Sequence, residues 1–243
     1  MKMLFFARRN AREILRDPLT VGFSLGFPVV ILALLSAIQA NVPVDLFRLE
    51  TLTPGVTIFG LAFMTLFSAT LIARDRETAF LQRLYTTPLT AADFIFGYLL
   101  PVAPIALAQC AACYLFAMLL GLKLSVTMIW AVLTVLPAAL LFIGLGLLCG
   151  SVMNTKQVGG ICGALLTNLT AWLSGTWFDL KLVGGAFEKF AYALPFVHAV
   201  EMERAVLNGN WAGIFPHLWW VLGYMAAVLA AAVLLFLRQM RRQ

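Results

Sequence analysis

His198, Glu201 and Glu203 are of the types that bind metal ions or move protons. His198 and Glu201 stand one helical turn apart, so on a helix they would share a face, as a metal pair or an acid–base pair does. The sequence offers no evident third ligand, and Arg204 beside them supports the simpler reading of an ion-paired helix. Cys110 and Cys113 form a Cys-x-x-Cys, which in a soluble chain points to thiol redox chemistry or zinc. Zinc takes four ligands, and no His or acidic residue lies in that stretch. Cys110, Cys113, Cys149 and Cys162 all fall in apolar runs and read as small apolar residues in packed helices. A Gly-x4-Gly-Lys-Ser/Thr phosphate loop is missing, since no Gly-Lys pair occurs anywhere in the 243 residues. The chain is therefore not expected to be an enzyme or to hydrolyse ATP itself.

The elements that would position these residues follow from composition. Hydrophobic residues make up 62% of the chain and charged residues 12%, against roughly 45–50% and ~25% in soluble domains, so the chain cannot cover itself with a polar surface. Six apolar runs, at about 19–38, 55–73, 94–120, 128–150, 158–177 and 217–237, each approach the ~20 residues that a helix needs to cross a bilayer. The runs are continuously apolar, unlike the alternating strands of an outer-membrane barrel. The expected fold is an all-α membrane protein: one transmembrane domain over 1–243 with six transmembrane helices. The first run is longer than a signal-peptide core and follows a charged segment, so it is expected to stay on.

Loop charge orients the bundle. Lys2, Arg8, Arg9, Arg12, Arg16, Arg74, Arg76, Arg83, Lys156, Arg238, Arg241 and Arg242 fall on one side, and Arg48, Lys123, Lys181, Lys189 and Arg204 on the other. Twelve against five places both termini in the cytoplasm. The same asymmetry accounts for a pI near 9.4 through anionic lipid headgroups, without nucleic acid as a partner.

Residues 1–17 read as an amphipathic interfacial helix, with Leu4, Ala7, Ala11, Ile14 and Leu15 on its apolar face and arginines opposite. A basic flank that only fixes topology is the alternative. Asp17-Pro18 interrupts the pattern before the first span. In the loop 74–92, Arg74, Asp75, Arg76 and Glu77 extend the second span as a charged helix. Phe80, Leu81 and Leu84 then give a polar segment a small apolar face, Thr87-Pro88 stops it, and Thr90 or Asp93 can cap the third span. A short helix lying across the ends of two spans is shaped to be pushed by another protein. The loop 178–216 is too broken to span and too apolar to float free, so one or two outer re-entrant helices are expected, followed by an Asn208-Gly209-Asn210 turn.

Away from their ends the six runs contain no Asp, Glu, Lys or Arg. Ion-coupled carriers place such groups in their spans, so the energy for driven work is expected from a partner. The stretch from Arg74 through Leu89, with its Arg-Glu pair, its leucines and its Thr-Pro turn, resembles the signature of type-2 ABC exporter permeases. Leu194 through Glu201 with Arg204-Ala205 looks like the outer motif of that family, and Leu173-Ser174-Gly175 before Trp177-Phe178 is similar to its fifth-span exit. Nearly the whole chain is covered by the resemblance. It implies a half-transporter of a bacterial plasma (inner) membrane. Two permeases, identical or homologous, would pair with two copies of a cytoplasmic ABC ATPase that binds ATP–Mg. Residues 77–87 would be the coupling helix, and Arg74, Asp75, Arg76, Glu77, Phe80, Leu81, Leu84, Thr87 and Pro88 the coupling residues. The cargo would be a hydrophobic or amphipathic, drug-like small molecule, or alternatively a lipid-linked polysaccharide or other lipid.

For a cargo path, Phe59, Phe63 and Phe67 recur every four residues along the second span, and Thr167 and Asn168 are polar groups at membrane depth in the fifth. By the resemblance these two spans line the cavity between subunits. In the alternative, the phenylalanines face lipid and the polar groups bond neighbouring helices. Gly146/Gly150 and Gly159/Gly163 are small-residue pairs suited to close helix packing.

Overall fold

The computed structural model describes residues 2–43, 45, 47–78, 80 and 90–240. Among the described residues every regular element is helical: α1 (Lys2–Leu15), α2 (Pro18–Asn41), α3 (Leu49–Glu77), α4 (Ala91–Leu119), α5 (Val126–Thr134), α6 (Leu136–Val152), α7 (Thr155–Val158), α8 (Thr167–Leu173), α9 (Gly185–Tyr192), α10 (Pro195–Leu207) and α11 (Trp211–Met240). A π-helical stretch, Gly159–Leu166, joins α7 to α8, and a 3₁₀ turn, Leu180–Leu182, precedes α9.

Local chemistry sets these boundaries. Pro18 opens α2, where a missing N–H costs nothing. Thr90 and Asp93 both cap α4, each side chain accepting from the other's backbone N–H. Asn154 and Gln157 do the same for α7. Pro137 sits at the start of α6 and interrupts what is otherwise one apolar helix over α5 and α6. Gly175, at φ 69°, turns the chain out of α8, and Gly209, also at φ 69°, makes the expected turn before α11.

Among the described residues, five helical stretches are long and apolar enough to cross a membrane: Val21–Asn41, Leu49–Glu77, Ala91–Leu119, Val126–Val152 and Trp211–Arg238. The run expected as a fifth span, 158–177, falls on α7, the π-helical stretch and α8 in succession, so no single helix there meets that length. The backbone stays right-handed helical at both junctions, with an i→i+5 ladder over Gly159–Leu166 between the two α-helical parts.

α3 is the hub. Of its most apolar window 89% is buried, against 17% for Val21–Asn41 and for Trp211–Arg238. Its closest neighbour is α6, and glycines explain the approach. A Cβ on Gly150 would lie 2.5 Å from the Ala69 carbonyl oxygen, and one on Gly146 2.5 Å from that of Thr65. Across this seam Thr65 donates to the Phe142 carbonyl at 2.7 Å, and Ser68 lies 3.2 Å from that of Ile143. Close backbones with hydroxyls bridging them are the usual solution where apolar solvent gives no hydrophobic drive. Gly159 has open space around it and Gly163 makes only ordinary contact with Leu66, so that second pair does no such work within the chain.

Ala7 and Ile14 of the apolar face expected for α1 turn inward, whereas Leu4 and Leu15 do not. Phe6, Ala7, Asn10 and Ile14 are buried, while Leu4, Phe5 and Leu15 are exposed. Phe6 lies against Phe94 and Tyr98, with ring centroids 6.3 and 5.0 Å away. It fits because Gly97 is bare, a Cβ there being 2.1 Å from the Phe6 ring. Asn10 completes the seat by donating to the Gly97 carbonyl at 3.0 Å. One polar residue that satisfies a helix carbonyl thus joins Ala7 and Ile14 of the apolar stripe in the docked face. The C-terminal end of α11 meets the same cluster, with Phe236 stacked on Phe94 at 4.0 Å. Both ends of the chain therefore gather at one end of the bundle.

Candidate functional site

Two arrangements stand on α3, one at its C-terminal end and one in its middle. At the end, the four charged residues divide three ways. Asp75 turns inward, 2% exposed, and accepts from Arg9 Nη1 at 2.6 Å and from the Tyr98 hydroxyl at 2.7 Å. Arg9 also pairs with Glu13 at 2.9 Å and lies 4.3 Å over the Phe80 ring. Burial works against the Arg9 charge, but the hydrogen bond and charge of Asp75 outweigh it and raise the guanidinium pKa. α1 is in this way fastened to α3 and α4 by one largely buried ion pair.

Arg76 and Glu77 face the turn between α6 and α7. Arg76 donates to the carbonyls of Ser151, Val152 (3.2 Å) and Met153 (2.9 Å), a cation on the negative end of α6. Glu77 accepts from the Thr155 backbone N–H at 2.9 Å and from its hydroxyl, an anion on the first turn of α7. Arg74 stays exposed and lines a small cavity of about 140 Å³ with Glu13, Asp17 and Phe67. Of the remaining sequence-derived coupling residues, Phe80 packs against Phe6 at 6.5 Å. Leu81, Leu84, Thr87 and Pro88 lie outside the described residues. Sequence reasoning missed Arg9, Asn10 and Tyr98 as partners. Arg9 was visible only as one of several arginines on a polar face, and nothing in its spacing selects it.

In the middle of α3, Phe59 and Phe63 line a cleft of about 420 Å³ together with Thr167 and Asn168. The phenylalanines are only 5% and 6% exposed, so they do not face lipid in the single chain. α2 supplies Phe23 and Phe27 to the same cleft, and Trp172 and Trp177 close its other side. Phe63 meets Phe23, Phe27 and Phe59 edge to face at 5.6, 5.5 and 6.0 Å, and Phe59 meets Trp177 at 5.4 Å. Thr167 and Asn168 bond their own helix: the Thr167 hydroxyl donates to the Cys162 carbonyl at 3.1 Å and the Asn168 amide to that of Ala164 at 2.8 Å. Phe67 is separated from the other two and lies on the smaller cavity beside Arg74. The Phe23–Phe27 spacing was a readable signal, but from sequence it could not be distinguished from a lipid-facing pair.

The residues that invited an enzyme reading go three ways. His198 stacks on Trp220 at 4.8 Å, shares a hydrogen bond with His217 at 2.9 Å, and reaches the Tyr192 carbonyl at 2.9 Å. Glu201 pairs with Arg204 at 2.7 Å. Arg204 also donates to the carbonyls of Gly175 (2.9 Å) and Thr51 (3.2 Å), stapling the start of α3 to the turn after α8. Among the described residues no three His, Cys, Asp or Glu side chains are placed to hold a metal ion, and the four cysteines are free thiols.

Glu203 is fully buried and has neutral neighbours, the hydroxyls of Tyr114 (3.4 Å) and Thr134 (3.1 Å). Burial pushes its pKa from 4.5 up to about 8, with the two hydroxyl contacts pulling the other way. The folded state therefore holds a proton that the unfolded chain releases. Stability from this group is complete below pH 4.5 and falls as pH rises toward about 8. His198, whose pKa burial lowers, acts with the opposite sign, so the comparison must be with a variant. Thermal unfolding of the detergent-purified chain from pH 5 to 8.5 should show a decline that Glu203→Gln removes; equal slopes for the two proteins would refute a protonated Glu203.

A family model described as "ABC-2 type transporter" matches residues 2–208. No curated protein matches the chain.

Proposed function

The chain belongs to the ABC-2 type transporter family, and from that premise we propose that it is the permease subunit of an ATP-driven exporter for hydrophobic or amphipathic small molecules. One observation carries the reading: the same helix holds both arrangements. Asp75, Arg76 and Glu77 tie the end of α3 to α1, α4 and the α6–α7 turn. Phe63 stands twelve residues back along α3, about 18 Å at 1.5 Å per residue. A displacement applied to the loop after Glu77 is in this way passed along a buried, rigid element to the wall of the aromatic cleft.

The rest of the reading follows from the sequence. The basic end of the bundle is cytoplasmic, and it receives two ABC ATPase subunits that supply the ATP–Mg chemistry this chain lacks. Residues 77–87, the coupling segment that the resemblance implies, meet the ATPase. α7, the π-helical stretch and α8 together make the fifth of six spans, which with the second span faces a second permease, identical or homologous. Leu4, Phe5 and Leu15, exposed on α1, enter the lipid interface of a bacterial inner membrane. The cleft offers aromatic walls and two uncharged polar side chains, which suits an apolar cargo better than a lipid-linked glycan needing a polar groove.

Affinity purification of the tagged chain should recover an ABC ATPase. Glu77→Lys should then lower cargo export in reconstituted vesicles at least tenfold while ATP hydrolysis persists, because α7 loses its anion and the α3 end its register. Glu77→Gln, which keeps an acceptor for Thr155, should retain most export. Purification without any ATPase, or full export by Glu77→Lys, would overturn the proposal.

A further inference from the structure

We infer that Cys149 and Cys162 form a binding site for a soft monovalent metal ion of the copper(I) type, where the end of α6 meets the π-helical stretch. The inference goes beyond the exporter reading and does not depend on it. The two cysteines come from different elements, Cys149 from α6 and Cys162 from the π-helical stretch. Their side chains meet, one thiol donating a hydrogen bond to the other sulfur. Both are free thiols, Cys162 buried and Cys149 partly exposed. They share a small apolar cluster with Ala69, Ala73 and Val158, and Met153 brings a thioether against it. Thiolate and thioether are the ligand types that select copper(I). Sulfurs already in contact need only a small separation to admit an ion between them.

Selectivity follows from the number and kind of donors. Zinc takes four ligands, and among the described residues no third His, Cys, Asp or Glu side chain joins this pair. Copper(I) is satisfied by two or three sulfurs. Binding converts both thiols to thiolates: two S–H bonds break, two metal–sulfur bonds form, and both protons leave to water. The resulting dithiolate complex carries one negative charge. The Arg76 guanidinium, held on the carbonyls of Ser151, Val152 and Met153 just after Cys149, is a fixed cation placed to offset it. Access comes from the flank of the π-helical stretch, where Gly159 and Gly160 have open space around them. Cys110 and Cys113, by contrast, are fully buried in the bundle, and Cys113 is already engaged by the Gln109 amide. A bound ion bridges α6 and the π-helical stretch on either side of the turn that Arg76 and Glu77 hold.

Copper(I), supplied without oxygen as its bicinchoninate complex to the full-length chain in detergent, should transfer to a single site per chain. Cys149→Ser and Cys162→Ser should each weaken that binding at least about a hundredfold, the upper end of what loss of a mere supporting group costs a metal site. Cys110→Ser/Cys113→Ser leaves the pair intact and should bind as the parent does. Cys149 is partly exposed, so its variant serves if Cys162→Ser fails to fold. A further measurement needs no variant: bound copper(I) should suppress alkylation of Cys149, read by mass spectrometry, and a chelator should restore it. Undiminished affinity after loss of either thiol, binding that follows Cys110 and Cys113 instead, zinc bound as tightly as copper(I), or Cys149 alkylated equally with and without the ion would overturn the inference. None of these results bears on recovery of an ATPase, so the metal site and the exporter reading fail separately.

Discussion

Arg9→Met should destabilise the folded chain by about 3 kcal/mol, the lower part of the range for breaking a buried pair from one side. Asp75 is 2% exposed, and without Arg9 it keeps only the Tyr98 hydroxyl as a described partner. Its charge would then sit in a low-dielectric seam with no other ion pair among the described residues. The lower part of the range applies because Arg9 itself is one-third exposed, so solvent already screens part of the pair. Asp75→Asn should cost less, since Arg9 can swing toward Glu13 and water. Combining the two changes should recover part of the loss, because no buried charge remains unpaired. Thermal unfolding of the four proteins in detergent measures the coupling directly; a double variant no more stable than Arg9→Met would show that the pair does not act as a unit. The functional consequence is equally specific. If α1 helps transmit force to α3, Arg9→Met/Asp75→Asn should fold yet export poorly.

A second large effect is expected at Gly146. Substitution by leucine there should prevent accumulation of a folded protein. A Cβ at this position would fall 1.9 Å from the Ser68 hydroxyl oxygen and 2.5 Å from the Thr65 carbonyl oxygen. Ser68 can rotate, but the Thr65 carbonyl belongs to the backbone of the hub helix and cannot. α3 and α6 would have to separate, losing the Thr65 bond to Phe142 and the Ser68 contact with Ile143 along with the packing. Overpacking alone costs typically 1–3 kcal/mol, and each interhelical bond adds roughly 0.6 kcal/mol. Gly146→Ala should be the milder member of the series. Gly159→Ala, where nothing lies within 4 Å, should leave thermal stability of the single chain almost unchanged. Equal yields of monodisperse protein from Gly146→Leu and Gly159→Ala in size-exclusion profiles would contradict the close-approach reading.

These two sites differ in how far the sequence announced them. Gly146 and Gly150 were legible as a close-packing pair, because four-residue spacing of glycines in an apolar run puts bare backbone on one helix face. Gly159 and Gly163 have the same spacing and make no close approach within the chain. The pattern reports an opportunity, and only the neighbour decides whether it is used. The Arg9–Asp75 pair was not legible. The partners are 66 residues apart, and charge type alone matches Asp75 equally with any of the neighbouring arginines. The apolar face expected for α1 is docked only in part, through Ala7 and Ile14, for a related reason. Leu4 and Leu15 satisfied the helical period, but Asn10 found a carbonyl on α4 and Phe6 found the gap above Gly97.

The cleft shows the same division. Periodicity put Phe59, Phe63 and Phe67 on one stripe, yet the structure divides that stripe between two cavities. Of the residues that complete the aromatic lining, Phe23, Phe27 and Trp172 come from helices whose orientation about their own axes no local pattern fixes, and Trp177 comes from the turn after α8.

By itself the sequence determined that the chain is helical, apolar beyond what water tolerates, asymmetric in positive charge and without a phosphate loop, because those properties depend on composition and near-neighbour spacing. The tertiary structure decided which face of α1 docks, which arginine meets Asp75, that Arg76 and Glu77 cap the α6–α7 turn, and which rings share a cleft. Each of those outcomes depends on the relative rotation of two helices, which is set by long-range packing at small residues and by single hydrogen bonds across the seam.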